Sequence, residues 1–583
     1  MGQNRTLTQV QKIAISSDDV HEVGCAGVPG RSTRRKSPRV VGHPLGGGRS
    51  RSMKHGYKKI RITVALCFLC LLVVGLSIYR DYGISWDEPS QRLIGAVTVK
   101  YINSIFAPSK ITESAKRLPD LKEFYDRDYG VAFEFPVSVL VGLLRIDDIR
   151  DVYMFRHLLT FFVYFTGVYA IYKIATRRFE DWRIGLLTSL FLVITPRLFA
   201  DGFYNSKDAV FMATFSIAMY TTISFVLKPN FQTAIISSLA TAIAIDVRIM
   251  ATMLLLGSVV ILMVRLLRRE LPIYRTLLVL GTYLFATSIF VVAMWPWLWL
   301  DPLGNFVQAF KNMSKYRWWR EVLYMGNIIS ATQLPWHYSI VWISITTPLL
   351  YLALFMVGAF ITIRQMCSRG IRFWEGNSEL QDIFFLSLFI VPIIAVIVFH
   401  SVLYDGWRQL YFIYPAFLLI SIKGWVFLWN SQHSKKLNKL ALAAVTSMFL
   451  MYLGSWMWIA HPMQNVYFNI LAGHNIRERY DMDYWGLGNR LALEHILKHD
   501  KRNIITVWAE SYTNLAYSFY MIVPEDRVRL RYANDKSQPY YILNNYRLVN
   551  KPDDSKYSQE YDLFYQLKLG DEIVLSVFKL KEI

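Results

Sequence analysis

The sequence is poor in charged residues and in cysteine. Asp, Glu, Lys and Arg make up 18% of its 583 residues, whereas soluble domains carry about 25%, so the composition argues against a soluble protein. Four cysteines are too few and too scattered to indicate a disulfide framework. Cys67 and Cys70 lie one helical turn apart inside an apolar run, where small packing residues explain them better than a redox or metal-binding pair.

The sequence also lacks the glycine-rich motifs that bind nucleotides. The triplet Gly46-Gly47-Gly48 is not followed by Gly-Lys-Ser or Gly-Lys-Thr, and no GxGxxG element opens a predicted helix. We therefore expect no nucleotide cofactor and no nucleotide-sugar donor.

Long apolar runs are abundant instead. Hydrophobic residues make up 54% of the chain, and the mean hydropathy is +0.27. A spanning helix needs roughly 20 mostly apolar residues, so the pattern predicts an all-α polytopic membrane protein with about eleven transmembrane helices. The predicted spans are 60–79, 154–174, 184–200, 208–227, 231–246, 249–267, 276–299, 340–363, 383–400, 409–428 and 438–459.

The positive charge follows the predicted topology. The net charge is +21, and the first 61 residues hold 13 Lys or Arg against 3 Asp or Glu. The strongly basic joints alternate along the spans, as the positive-inside rule requires. This pattern predicts a cytoplasmic N-terminus and an extracytoplasmic C-terminus, and no nucleic-acid partner is expected.

The chain divides into three predicted regions. Residues 1–52 have no periodic apolar face and predict a disordered basic tail, with Met53 as a hypothetical translation start. Residues 53–460 form the transmembrane module, whose first outer loop covers 80–153. Residues 461–583 predict a small extracytoplasmic α/β domain. Its predicted helix is 484–499, and its predicted strands are 503–509, 527–532, 540–543 and 572–579.

Two adjacent acids, Asp87 and Glu88, stand at the start of the first outer loop. A carboxylate at a membrane face is a candidate for acid–base chemistry on a lipid-borne substrate. The alternative is a solvated helix cap, because Ser85 and Asp87 both suit that role.

Basic residues mark the second and fourth outer loops. The second contains Arg197, Lys207 and Asp208, and the fourth contains Asp405 and Arg408. Lysine offers phosphate a point charge, and arginine binds it through two parallel hydrogen bonds. The alternatives are snorkelling anchors in the second loop and a simple Asp405–Arg408 ion pair in the fourth.

The third outer region is rich in aromatic residues and includes Trp336, His337 and Tyr338. Such residues form an aromatic belt at headgroup level. They could also stack on sugar faces or line a lipid groove. His337 by itself suits a hydrogen-bonded interfacial residue better than a metal ligand.

Four segments in this order resemble the C-type (GT-C) multi-span glycosyltransferases. They are Trp86-Asp87-Glu88, Pro196-Arg197 with Asn205-Ser206-Lys207-Asp208, Leu334-Pro335-Trp336-His337-Tyr338 and Tyr404-Asp405-Gly406-Trp407-Arg408. Over roughly residues 60–470 the chain is similar to dolichyl-phosphate-mannose protein mannosyltransferases and bacterial aminoarabinose–lipid A transferases. The resemblance implies an inverting glycosyltransferase of the bacterial cytoplasmic membrane. Its partners would be a polyprenyl-phosphate-linked sugar as donor, membrane lipids and an acceptor.

The resemblance also implies roles for individual residues. Asp87 would accept the proton of the acceptor hydroxyl, and Glu88 would orient Asp87. Lys207, Arg408 and Arg197 would bind the donor phosphate. Glu88 and Asp208 are candidate ligands of a divalent metal ion. The candidates for contacts to the sugar or acceptor are Trp336, His337, Tyr338 and Asp405.

The acceptor and the functional class each keep alternatives. Asp87-Glu88 continues with Pro89-Ser90-Gln91 instead of the aromatic and His motif usual in protein mannosyltransferases, and no long insert replaces the lumenal β-trefoil of eukaryotic members. The acceptor is therefore a glycan, a lipid or a protein. A transporter or flippase of lipid-linked sugars should carry ionisable residues near mid-bilayer. A non-catalytic scaffold should tolerate the loss of Asp87 or Lys207.

Overall fold

The computed structural model describes residues 47–582, apart from 316, 432–434, 514 and 534–537. The predicted disordered tail lies outside the described residues except for 47–52, where the first helix begins. The candidate site described below lies entirely in the unit Thr63–Ile583.

The described chain is mostly helical and carries two small sheets. The helices are α1 Gly47–Ile78, α2 Glu88–Phe106, α3 Glu113–Lys116, α4 Glu134–Leu143, α5 Ile149–Phe179, α6 Trp182–Val193, α7 Pro196–Tyr204, α8 Asp208–Leu227, α9 Phe231–Val247, α10 Thr252–Leu267, α11 Ile273–Met294, α12 Pro302–Ser314, α13 Tyr338–Thr346, α14 Leu349–Ser368, α15 Gly376–Val398, α16 Tyr414–Asn430, α17 Lys436–Ile459, α18 Ile476–Arg479, α19 Gly488–His499, α20 Leu515–Ser518 and α21 Pro524–Arg527. The strands are β1 Glu321–Tyr324, β2 Asn327–Ser330, β3 Ile505–Ala509, β4 Leu530–Tyr532, β5 Tyr541–Asn544, β6 Tyr561–Leu569 and β7 Glu572–Leu580.

The protein is a multi-pass membrane protein. Nine helices of the described chain are long and apolar enough to cross a membrane: Lys58–Ile78, Ile149–Phe179, Asp208–Leu227, Ile249–Leu267, Ile273–Met294, Leu349–Ser368, Gly376–Val398, Arg408–Asn430 and Lys436–Ile459. The other two predicted spans correspond to the bent pair α6 and α7 and to the 17-residue helix α9. Each of the eleven predicted segments therefore contains an apolar helix.

The predicted span 184–200 is not one straight helix. Helices α6 and α7 meet at an angle of 74°, because Thr195 precedes Pro196 and adopts an extended conformation, as residues before proline do. All nine residues of α7 are buried. Asp201 is one of these buried residues.

The predicted span 340–363 is also interrupted, at Thr347-Pro348. Thr347 is extended, with φ −94° and ψ 138°, again because it precedes proline. Helix α13 therefore ends at Thr346, and the helix long enough to span is α14. This break separates Tyr338 from the spanning segment that follows it.

The C-terminal region contains a five-stranded sheet with strand order β4-β3-β5-β7-β6. Strand β3 pairs in parallel with β4 and β5, whereas β7 pairs antiparallel with β5 and β6. Helix α19 packs through Leu493 and Ile496 on Val507, Leu543 and Val577 of the sheet. The prediction of a helical membrane protein with a small C-terminal α/β domain is confirmed. The sequence analysis missed β6, an edge strand whose residues are mostly half-buried or exposed.

The C-terminal domain is bound to the first outer loop. Arg490 Nη1 donates to the backbone oxygens of Arg80 and Tyr82, at 2.6 and 2.8 Å. Arg527 forms an ion pair at 3.1 Å with Asp148, the cap of α5. These contacts hold the domain beside the loop that contains Asp87.

Candidate active site

Three distant segments bring a carboxylate and two cations together. Arg408 Nη1 donates to Asp87 Oδ2 at 2.8 Å, and Lys207 Nζ lies 3.9 Å from the same oxygen. Arg408 Nη1 also donates to Asp208 Oδ2 at 2.9 Å. The predicted residues Asp87, Lys207, Asp208 and Arg408 therefore form one connected group.

The position of Lys207 and Asp208 depends on an asparagine turn before α8. The Asn205 side-chain oxygen accepts hydrogen bonds from the backbone N–H groups of Lys207 and Asp208, at 3.3 and 2.8 Å. Asparagine commonly stabilises turns through such bonds to residues two or three positions later. Asn205 also donates to Asp201 Oδ1 at 3.1 Å, so the turn is tied to the buried helix α7.

A tight turn at Asp405 and Gly406 presents Arg408. Both residues have a positive φ, 55° and 73°, a conformation that glycine adopts without strain. The Arg408 guanidinium lies 4.8 Å from the ring centroid of Tyr404 and 4.6 Å from that of Trp485. Aromatic faces stabilise a desolvated cation, so the C-terminal domain helps to hold Arg408 through Trp485.

Two arginines that the sequence analysis missed complete the group. Arg248 forms an ion pair with Asp208 Oδ1, and Arg547 Nη2 donates to Asp405 Oδ1 at 2.6 Å. The signal for Arg248 in the sequence is an arginine between two apolar runs. We name the connected set the cation–carboxylate cluster: Asp87, Lys207, Asp208, Arg248, Asp405, Arg408 and Arg547.

Burial and the charges of the cluster shift the pKa values of Asp87 and Lys207. Burial by itself would raise the pKa of Asp87, but the positive charges of Arg408 and Lys207 outweigh it and lower the pKa below its usual value. Asp87 is therefore ionised at neutral pH. Burial also lowers the pKa of Lys207 to about 8, although Asp87 and Asp208 oppose that shift.

Asp87 is not a capping side chain. It occupies the cap position of α2, but its carboxylate makes no capping hydrogen bond. The backbone N–H of Ser85 instead donates to Glu88 Oε2 at 2.7 Å. Among the described residues, the hydrogen bond and ion pairs of Asp87 all use Oδ2, which leaves Oδ1 available to a substrate.

Glu88 is directed away from Asp87. Its Oε1 lies 2.9 Å from Nε2 of His157, and both side chains are buried. Asp208, the other predicted metal ligand, is occupied by Arg248 and Arg408. No group of three or more His, Cys, Asp or Glu side chains in the described part of the chain is placed to hold a metal ion. The residues present therefore do not fit the predicted metal site.

Arg197 and the third outer region lie outside the cluster. Arg197 Nε donates to the backbone oxygen of Tyr467 at 2.8 Å, and its guanidinium lies 4.5 Å from the Phe468 ring. His337 Nδ1 lies 2.7 Å from the Tyr324 hydroxyl. The other two candidates differ in exposure, because Trp336 is 66% exposed and Tyr338 is buried. The structure thus brings none of these four residues into direct contact with Asp87.

A loop from the first outer region covers Lys207. Lys207 Nζ donates to the Tyr129 hydroxyl at 3.0 Å. The loop is anchored next to this contact, because the Val131 N–H donates to Asp246 Oδ1 at 3.0 Å. A Cβ at Gly130 would lie 1.3 Å from the Asp246 backbone oxygen, so only glycine allows this approach.

An apolar cavity of about 310 Å³ ends at the cluster. Its polar end is formed by Tyr129, Lys207, Arg248, Tyr404 and Gln409. Its walls include side chains that are more than half exposed on the surface of the helical bundle: Leu256, Phe310, Val391 and Phe399. A larger cavity, of about 960 Å³, is lined by residues of α1, α6 and α17 among others and contains no residue of the cluster.

Comparisons with protein families and with solved structures each give a match. Residues 151–297 match the family model described as dolichyl-phosphate-mannose-protein mannosyltransferase. Among solved structures, the chain is similar to ArnT from Cupriavidus metallidurans bound to undecaprenyl phosphate, with 12% identity and a TM-score of 0.45 over 88% of this chain and 98% of that one. A search of curated proteins gives no match. The resemblance to the dolichyl-phosphate-mannose protein mannosyltransferases, predicted from the sequence motifs, is thus confirmed over residues 151–297, which include Lys207, Asp208 and Arg248.

Proposed function

We propose that the protein is an integral-membrane glycosyltransferase that moves a sugar from a polyprenyl-phosphate carrier to an acceptor hydroxyl. One observation carries the proposal: the apolar cavity ends at Lys207 and Arg248, Lys207 pairs with Asp87, and Arg248 is linked to Asp87 through Asp208 and Arg408. The family match over residues 151–297 supports the same class of enzyme.

The cavity suits a prenyl chain that carries a phosphate. Burial of apolar chain against Met253, Leu256 and Val396 is favourable by roughly 25 cal/mol per Å². The lysine and arginine at the inner end favour a negatively charged headgroup. A water-soluble donor would gain nothing from the apolar walls.

The charge of the cluster also suits this donor. Its four cations exceed its three carboxylates by one positive charge. A sugar linked to a lipid phosphate carries one negative charge, so the bound donor would neutralise the cluster. As the sugar leaves, the departing lipid phosphate gains a second negative charge, which Lys207 and Arg248 would stabilise.

Asp87 is the proposed general base. In a single displacement the acceptor oxygen forms a bond to the anomeric carbon, the bond from that carbon to the phosphate oxygen breaks, and Asp87 takes the acceptor proton. The carboxylate is ionised and has one oxygen without a partner among the described residues. A single displacement inverts the anomeric centre, so the proposed enzyme is an inverting glycosyltransferase.

The acceptor is proposed as a glycan, lipid or protein hydroxyl on the extracytoplasmic face of a bacterial cytoplasmic membrane. The basic joints between the spans support this orientation. The C-terminal domain, which contributes Arg547 to the cluster and packs Trp485 against Arg408, would lie on the same face.

The test is binding of the carrier lipid to the purified full-length protein in nanodiscs. Native mass spectrometry should detect polyprenyl phosphate bound more tightly than polyprenol of the same length. Ala395→Trp, which fills the cavity, should weaken binding of polyprenyl phosphate. Leu278→Trp, at an exposed apolar position outside the cavity, is the matched control. Equal binding of the two lipids, or equal binding by the two variants, would reject the donor site.

A further inference from the structure

Four side chains form a second cationic group where three parts of the chain meet. One of them, Arg547, also belongs to the cation–carboxylate cluster. The Trp86 and Tyr512 ring centroids are 5.1 Å apart. The Arg320 guanidinium lies 4.6 Å from the Tyr512 ring centroid, and the Arg547 guanidinium lies 5.1 Å from the same centroid. We name Trp86, Arg320, Tyr512 and Arg547 the arginine–aromatic group.

The arginine–aromatic group adjoins the proposed reaction centre. Trp86 directly precedes Asp87 in the chain. Arg547 donates to Asp405 Oδ1 at 2.6 Å, and Asp405 Oδ2 accepts from Arg408 at 3.3 Å. Arg408 in turn donates to Asp87. A molecule held by this group would therefore be close to the proposed base.

Some donors of the group have no acceptor among the described residues. Asp405 is shared between Arg547 and Arg408, and the Nε and Nη1 atoms of Arg547 are buried without a hydrogen-bond partner in the described structure. Arg320 is exposed and has no ion pair with any described residue. Buried donors without acceptors cost free energy. If these side chains only joined the C-terminal domain to the outer loops, the unsatisfied donors of Arg547 would destabilise the contact. A bound acceptor would remove that cost.

The rings add a surface for stacking. Trp86 and Tyr512 are each half-buried, whereas the neighbouring Arg547 is 5% exposed. Sugar rings commonly bind on partly exposed aromatic faces, while guanidinium groups bind phosphate and carboxylate. The two chemistries occur together in a sugar that carries an anionic group.

We propose that the arginine–aromatic group is the acceptor subsite, and that it recognises a negatively charged group, phosphate or carboxylate, next to a sugar ring. The inference rests on the proposed function, because the bound acceptor must present its hydroxyl to Asp87. The anionic group would be supplied by a soluble or glycan-borne sugar or by a lipid headgroup.

The experiment uses glucose 1-phosphate, glucuronate and glucose as probes of the full-length protein in phosphatidylcholine nanodiscs. Excess polyprenyl phosphate is added first, so that the cations of the donor site are occupied. Calorimetric titration should show both anionic probes binding at least tenfold more tightly than glucose. Arg320→Gln should weaken binding of the anionic probes about tenfold, and Arg547→Gln should do so at least as strongly.

Arg531→Gln is the matched control, because Arg531 is also an exposed arginine but, among the described residues, donates only to backbone oxygens of its own segment. Equal weakening by Arg531→Gln, equal affinity for glucose and glucose 1-phosphate, or unchanged binding by Arg320→Gln would overturn the proposal. Arg320 is exposed, so its variant decides even if Arg547→Gln fails to fold. Binding of glucose 1-phosphate only when polyprenyl phosphate is omitted would place it in the donor site and also reject the subsite.

Two further arms separate the sources and the underlying function. Nanodiscs containing phosphatidylglycerol should weaken glucose 1-phosphate binding, in an Arg320-dependent way, if a lipid headgroup is the natural anion. Unchanged binding in those nanodiscs would support a soluble or glycan-borne anion. Failure of the wild-type protein to bind polyprenyl phosphate would count against the proposed function, whereas loss of discrimination among the sugar probes counts only against the subsite.

Discussion

Arg408 Nη1 donates to Asp87 Oδ2 at 2.8 Å, although the two residues are 321 positions apart in the chain. The same nitrogen donates to Asp208 at 2.9 Å. Arg408 thus joins the start of the first outer loop, the start of α8 and the fourth outer loop. One guanidinium fixes the proposed base and the proposed donor site relative to each other.

Replacing Asp87 with Asn should abolish most sugar transfer. The amide keeps the size of the side chain but accepts no proton, and loss of a general base typically lowers the rate by roughly 10²–10⁴-fold. Transfer of labelled sugar from a polyprenyl-phosphate donor measures the effect. Asp120→Asn, at an exposed aspartate that pairs with Lys100, should retain full activity; an Asp87→Asn enzyme as active as this control would reject the base.

The activity should decline at alkaline pH because Lys207 loses its proton. The pKa of Lys207 is lowered by burial to about 8, so the cation is present below that pH and is lost as the pH rises through it. The ratio kcat/KM for the donor, which reports ionisations of the free enzyme, should therefore fall above about pH 8. Asp87, whose pKa lies below its usual value, should cause no decline above about pH 5.

Lys207→Arg provides the control for this profile, because arginine stays protonated at every pH tested. The variant should lose the alkaline decline attributed to Lys207 while keeping a measurable rate. If its decline matches that of the wild type, another group titrates in this range and the assignment to Lys207 is wrong.

Arg248 should contribute to donor binding, although no role was predicted for it from the sequence. Arg248→Met removes a cation from the polar end of the cavity, and hydrogen bonds to charged groups are worth about 1.5–3 kcal/mol. Binding of polyprenyl phosphate should weaken roughly ten- to hundredfold. Arg275→Met, at an exposed arginine near the start of α11, should bind as the wild type does, and comparable affinities of the two variants would exclude Arg248 from the site.

Gly130→Ala should disturb the site through the backbone. The new Cβ would lie 1.3 Å from the Asp246 backbone oxygen, so the loop must move and carry Tyr129 away from Lys207. Crowding of this kind typically costs about 1–3 kcal/mol, which thermal unfolding should detect along with a lower transfer rate. Gly142→Ala, where no described atom apart from the chain neighbours and the backbone of its own helix lies within 4 Å of the new Cβ, should change neither; an unaffected Gly130→Ala variant would show that the loop is not held as described.

Much of the fold follows from local pattern. Apolar runs of about 20 residues must bury their backbone polar groups in helices when they cross a membrane, so all eleven predicted segments contain helices. Alternating hydrophobic residues likewise indicated strands β3, β4, β5 and β7. The break between α6 and α7 escaped this reasoning because hydropathy does not register a bend, although the Thr195-Pro196 pair carried the signal.

The candidate site, too, could be predicted only in part from the sequence. The sequence by itself singled out Asp87, Lys207, Asp208, Asp405 and Arg408, because charged residues at the ends of apolar runs require an explanation. It could not tell which of the charges meet. Glu88 and Arg197 also lie near the ends of apolar runs, yet packing directs Glu88 to His157 and Arg197 to the backbone of Tyr467.

Only the tertiary structure added Arg248 and Arg547 to the cluster. A charge that lies in a low-dielectric interior must find a partner, but the partner is chosen by three-dimensional distance and not by separation along the chain. Arg547 reaches Asp405 across 142 residues, because the C-terminal domain is held against the outer loops. The sequence therefore determined which segments cross the membrane and which charges lie at their ends, and the packing of those segments decided which charges form the site.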